Sequence, residues 1–354
     1  MSDTNELECA FPGLAARLPR LPLATLPTPV RSAVLEHASG PRRLVIKQDD
    51  RSSPDYGGNK VRKLEYLLAR ARDRGRETIA TFGTVGSHHA LATAIHARSL
   101  GLSSIAFLSH QPKIGDIAAA LNMHVEIGSE LVPFGGPRAV RIATLRRWLR
   151  GRRAAIVAVG GSSWLGTVGF VDAGLEFAAQ VARGECALPA RLYVATGTMG
   201  TAVGLALGFA LAGLPTEVHA VRISHPTITN EERLQRLAHK TAAMLHRLDP
   251  AIPATLATRM RLVLRHEFFA GGYAHTDATT EHAIEVARQE LNLRLDETYT
   301  AKAMAALIAD LKDPATRDLV LGFWQSWHAR PLPVAGDRPL DRHKLPGEFL
   351  RYFD

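Results

Sequence analysis

Residues 57–66 read Gly57-Gly58-Asn59-Lys60-Val61-Arg62-Lys63-Leu64-Glu65-Tyr66. The two glycines and the asparagine predict a tight turn, and the apolar residues Val61, Leu64 and Leu68 predict a helix that starts at Lys60. A lysine at this point displays its ammonium group into the cleft that the turn faces. The positive end of the helix lowers the pKa of such a lysine and favours the neutral, nucleophilic amine. A solvated lysine at the start of a surface helix is the alternative interpretation.

Short apolar strands alternate with helices along most of the chain. The predicted strands are residues 44–47, 78–82, 104–108, 123–127, 155–159, 192–195 and 217–221. The helix from Lys60 is predicted to end near Gly75, and a second helix runs from the loop at 83–89 to Leu100. This alternation predicts an open, doubly wound α/β fold whose parallel sheets are covered on both faces. Ligands bind such folds at the carboxyl ends of the strands.

Composition and charge narrow the class of protein. The chain has 354 residues, enough for two domains, and 46% of them are hydrophobic. Its two cysteines, Cys9 and Cys186, indicate a reducing compartment, and no stretch resembles a signal peptide or a membrane span. The net charge of +9 is spread over helices without interleaved aromatic residues, which disfavours nucleic-acid binding. These features predict a cytoplasmic protein with no membrane or nucleic-acid partner.

Both ends of the chain are rich in proline. Residues 11–35 are predicted to form an extended arm that lies across a domain, rather than a helix. The tail after Ala329 contains the apolar residues Phe349, Tyr352 and Phe353. We expect these three side chains to anchor the tail on its own subunit or on a neighbouring one.

A second loop, residues 196–201, reads Thr196-Gly197-Thr198-Met199-Gly200-Thr201 and joins a predicted strand to a predicted helix. Its glycines allow the backbone to approach a ligand closely, its hydroxyl groups donate hydrogen bonds, and the start of the helix favours an anion. Phosphate binding is one interpretation, and a tight turn with a threonine cap is the other. The loop lacks both the Walker lysine and the register of a dinucleotide-binding motif.

A third loop, residues 81–89, ends in Ser87-His88-His89 at the start of the next predicted helix. Ser87 is a good helix N-cap, and free N–H groups at such a helix start suit a carboxylate. Two adjacent histidines with no third ligand in the sequence are weak evidence for a metal. We therefore predict helix capping and anion binding at this loop, and no metal.

Pyridoxal phosphate needs these three features together: an amine for a Schiff base, a site for its phosphate and a site for an amino-acid carboxylate. Residues 57–66 resemble the Schiff-base segment of the D-cysteine desulfhydrase and 1-aminocyclopropane-1-carboxylate deaminase family. The resemblance covers about residues 21–321 and includes Gly160-Gly161-Ser162 with Gly166, Gly271-Gly272-Tyr273 and residues 295–304. It implies two open doubly wound α/β domains of the tryptophan synthase β-like pyridoxal-phosphate fold, known as fold type II.

The resemblance also implies how the chain is divided. Residues 1–56 and 171–330 would form a large cofactor-binding domain, residues 57–170 a small domain and residues 331–354 a C-terminal arm. The expected assembly is a homodimer.

Roles for individual residues follow from the same resemblance. Lys60 would carry the cofactor and act as the proton-transfer base, and Ser87 would hold the substrate carboxylate. Tyr273 and Tyr299 would reach the substrate from the opposite side and complete the catalytic set, and Thr300 would face the pyridine nitrogen. The other cofactor-binding residues would be Asn59, His88, Gly197, Thr198, Met199, Gly200 and Thr201. The other substrate-binding residues would be His88, His89, Gly161 and Ser162.

Departures from the family's pattern bear on the reaction. Thr300 stands where deaminase-like members have a glutamate, and a hydroxyl group beside the pyridine nitrogen suffices when a good β-leaving group departs. His88 replaces the asparagine that contacts the ring oxygen of the cofactor. It would supply a hydrogen bond to that oxygen and, when protonated, an added positive charge. Trp324 and Trp327 would form a wall of the substrate pocket.

The sequence therefore predicts a pyridoxal-phosphate-dependent lyase. It would eliminate the β-substituent of a small D-amino acid such as D-cysteine and release a 2-oxo acid and ammonia. β-Replacement, racemisation and deamination of 1-aminocyclopropane-1-carboxylate are alternatives within the family. A relative that binds the cofactor without catalysis is a further alternative.

Overall fold

The computed structural model describes residues 5–36, 40–328 and 342–353 and contains two β-sheets with helices packed around them. The strands are β1 Val30–Leu35, β2 Arg42–Gln48, β3 Thr78–Thr84, β4 Ser103–Ser109, β5 Glu130–Pro133, β6 Ala154–Val157, β7 Arg191–Thr196, β8 Glu217–Arg222, β9 Leu262–Arg265 and β10 Leu321–Gln325. The helices are α1 Glu6–Ala10, α2 Asn59–Asp73, α3 His88–Ser99, α4 Ile117–Glu126, α5 Arg138–Leu149, α6 Val168–Ala182, α7 Gly200–Ala212, α8 Glu231–Leu248, α9 Leu256–Arg259, α10 Ala278–Gln289 and α11 Thr300–Asp310.

The two sheets are almost entirely parallel. The small sheet has the strand order β5-β4-β3-β6, and all of its neighbouring strands are parallel. The large sheet has the order β1-β2-β10-β7-β8-β9, in which β1 alone runs antiparallel to its neighbour. Helices connect the parallel strands, as such crossovers require. The predicted α/β fold class is therefore confirmed, while the exact domain boundaries stay a prediction.

Helices α6 and α7 pack closely in the core beside the large sheet. A Cβ atom added at Gly208 would lie 2.4 Å from the carbonyl oxygen of Val171 and 2.9 Å from the Cα atom of Gly174. Only glycine permits this approach, because real Cβ contacts are longer. The pairing fixes the position of α7, whose first turn follows the Thr196–Thr201 loop.

A buried cluster of charges joins α2 to the large sheet and to α6. The Arg62 guanidinium lies 2.8 Å from Oδ1 of Asp49 and 2.9 Å from Oε1 of Glu176, and all three side chains are nearly inaccessible. The Lys47 ammonium also pairs with Glu176. Burial by itself raises the pKa of Glu176, but Arg62 and Lys47 together hold it at about 2. Glu176 therefore stays ionised at neutral pH.

The predicted strand at residues 123–127 is wrong. Those residues form the end of α4, whose start is capped by the Asp116 carboxylate accepting from the Ala119 N–H at 2.9 Å. Gly128, with a φ of 73°, ends the helix, and the strand β5 follows at Glu130–Pro133. The alternating apolar residues suited a strand as well as a helix, and the capping residues decide between the two.

The terminal segments differ in part from expectation. Within residues 11–35, Pro12–Leu14 form a single 3-10 turn and Val30–Leu35 form the edge strand β1. At the other end, Phe349 and Tyr352 pack with Leu345 against Val85 and its neighbours beside the small sheet. The end of the tail thus packs on its own subunit, while residues 329–341 lie outside the described residues.

Replacing Arg62 tests the charge cluster. Arg62→Ala leaves two buried carboxylates without their main cation, so the free energy of unfolding should fall by about 3–5 kcal/mol. Urea unfolding followed by circular dichroism measures the change. Arg288→Ala, which removes an exposed ion pair with Glu285, is the matched control and should leave the unfolding midpoint nearly unchanged. Equal midpoints for both variants would contradict the role given to Arg62.

Candidate active site

A large cavity lies where the carboxyl ends of β3 and β7 face the start of α2. Its volume is about 640 Å³, within the range of pockets that hold a cofactor and a small substrate. None of its described lining residues is an aspartate or glutamate, whereas Lys60, Lys63 and Arg141 all reach it. A cavity with cations and no carboxylates in its wall favours an anionic ligand.

Lys60 occupies the second position of α2 and turns its side chain into this cavity. Desolvation there lowers the pKa of its amine to about 8, and the negative charge of Asp296 limits the decrease. The predicted direction of the pKa shift is thus found, but burial rather than the helix end causes it. A neutral amine is consequently accessible near physiological pH.

The turn before Lys60 is held by residues distant in sequence. Gly58 has a φ of 91°, and a Cβ atom there would lie 2.9 Å from the carbonyl oxygen of Ser326. Asn59 donates from Nδ2 to Oγ1 of Thr201 at 3.0 Å. Since the Lys60 ammonium also donates to Asn59, hydrogen bonds link the lysine directly to the first turn of α7.

The Thr196–Thr201 loop presents polar atoms to the cavity. Oγ1 of Thr198 lies 2.7 Å from Oγ of Ser162, which accepts from the Gly200 N–H at 3.1 Å. Met199, with a φ of 67°, is the N-cap of α7, so no threonine caps this helix. The buried Oγ1 of Thr196 has no hydrogen-bond partner among the described residues, yet Thr196 lines the cavity. This donor set fits a phosphate group.

Lys63 is a site residue that the sequence reasoning missed. Its ammonium donates to the carbonyl oxygen of Gly160 at 3.1 Å and to Oγ of Ser162 at 3.2 Å. Burial, and then the charge of Lys60, hold its pKa well below the usual value for lysine. A phosphate bound at the adjacent loop would offset both effects. The three-residue spacing from Lys60, which places both lysines on one helix face, was the available signal.

The predicted carboxylate loop has its expected helix cap. Oγ of Ser87 accepts from the Ala90 N–H at 3.2 Å at the start of α3, and Ser87 lines the cavity. His89 also lines the cavity, with Nε2 3.0 Å from Oγ1 of Thr81. Burial keeps the pKa of His89 well below the usual value, so its imidazole is neutral.

His88 lies in a smaller cavity of about 20 Å³ that it shares with Lys60. Its Nδ1 is 2.6 Å from the Tyr56 hydroxyl oxygen, and its Nε2 accepts from the Trp327 indole at 2.9 Å. Burial lowers the pKa of His88 to about 4. The imidazole is therefore neutral near physiological pH, and the positive charge that a protonated His88 would add is absent there. Of the two tryptophans predicted to wall the pocket, Trp324 instead lies in the core and donates to Asp49.

Tyr273 and Tyr299 form a pair at the cavity wall. Their hydroxyl oxygens are 2.9 Å apart, and their rings meet edge to face. Burial raises the pKa of both hydroxyl groups, so they stay protonated. The Lys60 ammonium lies 5.7 Å from the centre of the Tyr299 ring. The structure thus brings the predicted tyrosines to the predicted lysine.

Thr300 is fully buried and forms hydrogen bonds with Asp296. Asp296 is another residue that the sequence reasoning missed. The Thr300 hydroxyl donates to Oδ1 of Asp296 at 2.7 Å and accepts from the Asp296 N–H at 2.9 Å. Asp296 also accepts from the N–H groups of Thr298 and Tyr299 at the start of α11. Thr300 is not among the residues that line either cavity, and its contact with a pyridine nitrogen stays a prediction.

The remaining predicted cofactor- and substrate-binding residues lie in or beside the Thr196–Thr201 loop. Gly197, Thr198, Met199 and Thr201 line the large cavity with Asn59. Gly200, Gly161 and Ser162 lie directly behind this wall, where Ser162 bonds to Thr198 and to Gly200. Across the described part of the chain, no group of three His, Cys, Asp or Glu side chains is placed to hold a metal ion. None of its helices is long and apolar enough to cross a membrane.

Similarity to known proteins covers most of the chain. The profile of the pyridoxal-phosphate-dependent enzyme family matches residues 21–321. Nocardicin C-9' epimerase from Nocardia uniformis subsp. tsuyamanensis is 34% identical over 323 residues, which is 88% of this chain and 94% of the epimerase. D-cysteine desulfhydrase from Serratia proteamaculans is 31% identical over 313 residues, which is 86% of this chain and 91% of the desulfhydrase.

Solved structures show the same architecture. The crystal structure of a 1-aminocyclopropane-1-carboxylate deaminase homologue superposes with a TM-score of 0.71 and 25% sequence identity, over 89% of this chain and 93% of the homologue. The crystal structure of a bacterial threonine deaminase superposes with a TM-score of 0.59 at 18% identity, over 92% of this chain and 98% of that one. The latter likeness concerns the fold alone.

The pKa of Lys60 predicts how apoprotein combines with pyridoxal phosphate. Because only the neutral amine attacks an aldehyde, the rate should rise about tenfold per pH unit at low pH and level off near pH 8. The growth of visible absorption after adding the cofactor measures this rate. Nα-acetyl-lysine, with a normal amine, is the control, and its rate should keep rising to higher pH. A protein whose profile follows the control would contradict the lowered pKa.

Proposed function

The chain belongs to the family of pyridoxal-phosphate-dependent enzymes that includes D-cysteine desulfhydrase and 1-aminocyclopropane-1-carboxylate deaminase, and we propose that it is a lyase for β-substituted D-amino acids. The expected reaction is α,β-elimination, with D-cysteine as the model substrate and a 2-oxo acid and ammonia as products. The observation that carries this proposal is the juxtaposition of Lys60 with the protonated Tyr273–Tyr299 pair in one cavity.

Binding and orientation come from the loops around the cavity. Pyridoxal phosphate, when bound, withdraws electrons from the Cα atom of the amino acid. The Thr196–Thr201 loop and Lys63 would hold its phosphate, and Lys60 would carry its aldehyde carbon. The start of α3, capped by Ser87, would hold the substrate carboxylate. Once the substrate's amino group has displaced Lys60 from the aldehyde carbon, the freed Lys60 amine, whose pKa is lowered by burial to about 8, would be neutral and able to take the Cα proton.

Departure of the β-substituent needs a proton donor, and the tyrosine pair supplies one. Two hydroxyl groups 2.9 Å apart share one hydrogen bond, so one of the two hydrogen atoms remains free to be donated elsewhere. Because burial raises the pKa of both residues, neither is lost as a donor at neutral pH. A departing thiolate near this pair would be stabilised by that hydrogen bond.

Epimerisation is a second candidate function, and two observations favour it. Nocardicin C-9' epimerase is 34% identical to this chain. The cavity of about 640 Å³ also has an aromatic wall of Phe82, Phe134 and Phe269, which offers apolar surface to a side chain larger than that of cysteine. Removing and returning a Cα proton would use the same lysine. A homodimer and a cytoplasmic location stay predictions from the sequence.

A single assay in deuterium oxide separates the candidates. The protein with bound cofactor should release a 2-oxo acid from D-cysteine and 3-chloro-D-alanine, and not from their L-enantiomers. Tyr273→Phe should slow release about 10²- to 10⁴-fold, as loss of a general acid does. If small and aromatic amino acids instead gain deuterium at Cα with inversion and release no 2-oxo acid, the protein is an epimerase and not a lyase. Neither product from any amino acid would contradict both candidates.

A further inference from the structure

Three side chains form a hydrogen-bonded series behind Lys60. The Trp327 indole N–H is 2.9 Å from Nε2 of His88, and Nδ1 of His88 is 2.6 Å from the hydroxyl oxygen of Tyr56. Lys60, His88, Tyr56 and Trp327 together line the small cavity. We call this series the Trp327–His88–Tyr56 relay. It connects Trp327, which lies just after β10, to Tyr56, which lies just before the turn that precedes Lys60.

The chemistry of the indole group fixes the direction of every hydrogen bond in the relay. An indole N–H only donates, so Nε2 of His88 must carry a lone pair. The single proton of a neutral imidazole then lies on Nδ1, which therefore donates to the Tyr56 oxygen. The hydroxyl hydrogen of Tyr56 cannot point back at His88. It is available to an acceptor on the side of the small cavity, where Lys60 lies.

The surroundings of Tyr56 keep its ring in place and its hydroxyl group protonated. The ring stacks on His328 with centres 4.2 Å apart, and Nδ1 of His328 accepts from the Gly57 N–H at 2.9 Å. Only 1% of Tyr56 is exposed, and burial raises the pKa of its hydroxyl group. The titratable groups around it are His88, His328, Lys60 and Tyr299, and the negative charge of Asp296 adds to the effect of burial on its pKa.

We propose that Tyr56 donates a hydrogen bond to the ring oxygen of pyridoxal phosphate bound at Lys60, and that Trp327 and His88 are positioning residues that enforce this direction. The ring oxygen of pyridoxal phosphate is bonded to the carbon adjacent to the one that carries the aldehyde. When Lys60 holds the aldehyde carbon, this oxygen is therefore the anionic acceptor nearest to the lysine nitrogen. The proposal rests on the family's cofactor and on neither candidate reaction.

A donor at the ring oxygen has a defined electrostatic effect. The hydrogen bond stabilises the negative charge on the oxygen, so the oxygen gives less support to a proton on the neighbouring lysine nitrogen. That proton is then lost at lower pH. Removing the donor should raise the pH at which the visible band of the bound cofactor changes.

The spectroscopic test compares matched variants with bound cofactor. Tyr56→Phe keeps the stacked ring and removes the donor, and should raise the midpoint of the absorbance-against-pH curve by about one pH unit or more. Trp327→Phe should raise it by a smaller amount, because His88 is then free to adopt the other tautomer. Tyr352, in the C-terminal arm, makes a similar tyrosine–histidine contact with His110. Tyr352→Phe removes that contact and should leave the midpoint unchanged. An unchanged or lowered midpoint in Tyr56→Phe would overturn the proposal.

A second measurement needs neither cofactor nor catalysis. Nitrogen NMR of the ¹⁵N-histidine-labelled protein at neutral pH, with His88→Gln used to assign the signal, reports which ring nitrogen is protonated. We expect the proton on Nδ1 of His88 in the original protein, and a mixture of tautomers in Trp327→Phe. A proton on Nε2 in the original protein would show that the relay runs the other way and would overturn the proposal, whatever reaction the enzyme catalyses.

Discussion

The Arg62 guanidinium, buried between Asp49 and Glu176, fixes the helix on which the site depends. A buried cation is costly to desolvate and is tolerated only where carboxylates surround it. Arg62 lies two residues after Lys60 and one before Lys63, so its ion pairs set the axial position and the rotation of α2. With Arg62 directed at the large sheet and α6, the two lysines are directed at the cavity.

The architecture brings the remaining groups to these lysines. The carboxyl ends of β3 and β7 both open at the start of α2, which places a helix start from each sheet in the wall of one cavity. A hydrogen bond from Asn59 to Thr201 joins the lysine helix to the Thr196–Thr201 loop directly, and one from Lys63 to Ser162 joins it through the Ser162–Thr198 contact. A phosphate at one side and an amine at the other would therefore be held by a continuous set of contacts.

Features with local causes could be predicted from the sequence, and features with distant causes could not. Lys60, the Ser87 cap and the Thr196–Thr201 loop depend on turns and helix starts, whose residue preferences are local. The neutral state of His88 results from its burial, and its partner Trp327 lies more than two hundred residues away, so neither could be read from its own neighbourhood. Trp324 was misplaced for the same reason, because its partners Asp49 and Phe170 become neighbours only through the sheet. The resemblance to a family supplied the cofactor, which local patterns had only suggested.

The central claim is that Lys60, and not the neighbouring Lys63, carries the cofactor. Both amines reach the cavity, but Lys63 donates to Gly160 and Ser162 behind the phosphate loop. Borohydride reduction of the protein with bound pyridoxal phosphate makes the attachment permanent, and mass spectrometry of its peptides then locates it. We expect a pyridoxyl group on Lys60 and an unmodified Lys63. A pyridoxyl group on Lys63, or no attachment to either lysine, would contradict it.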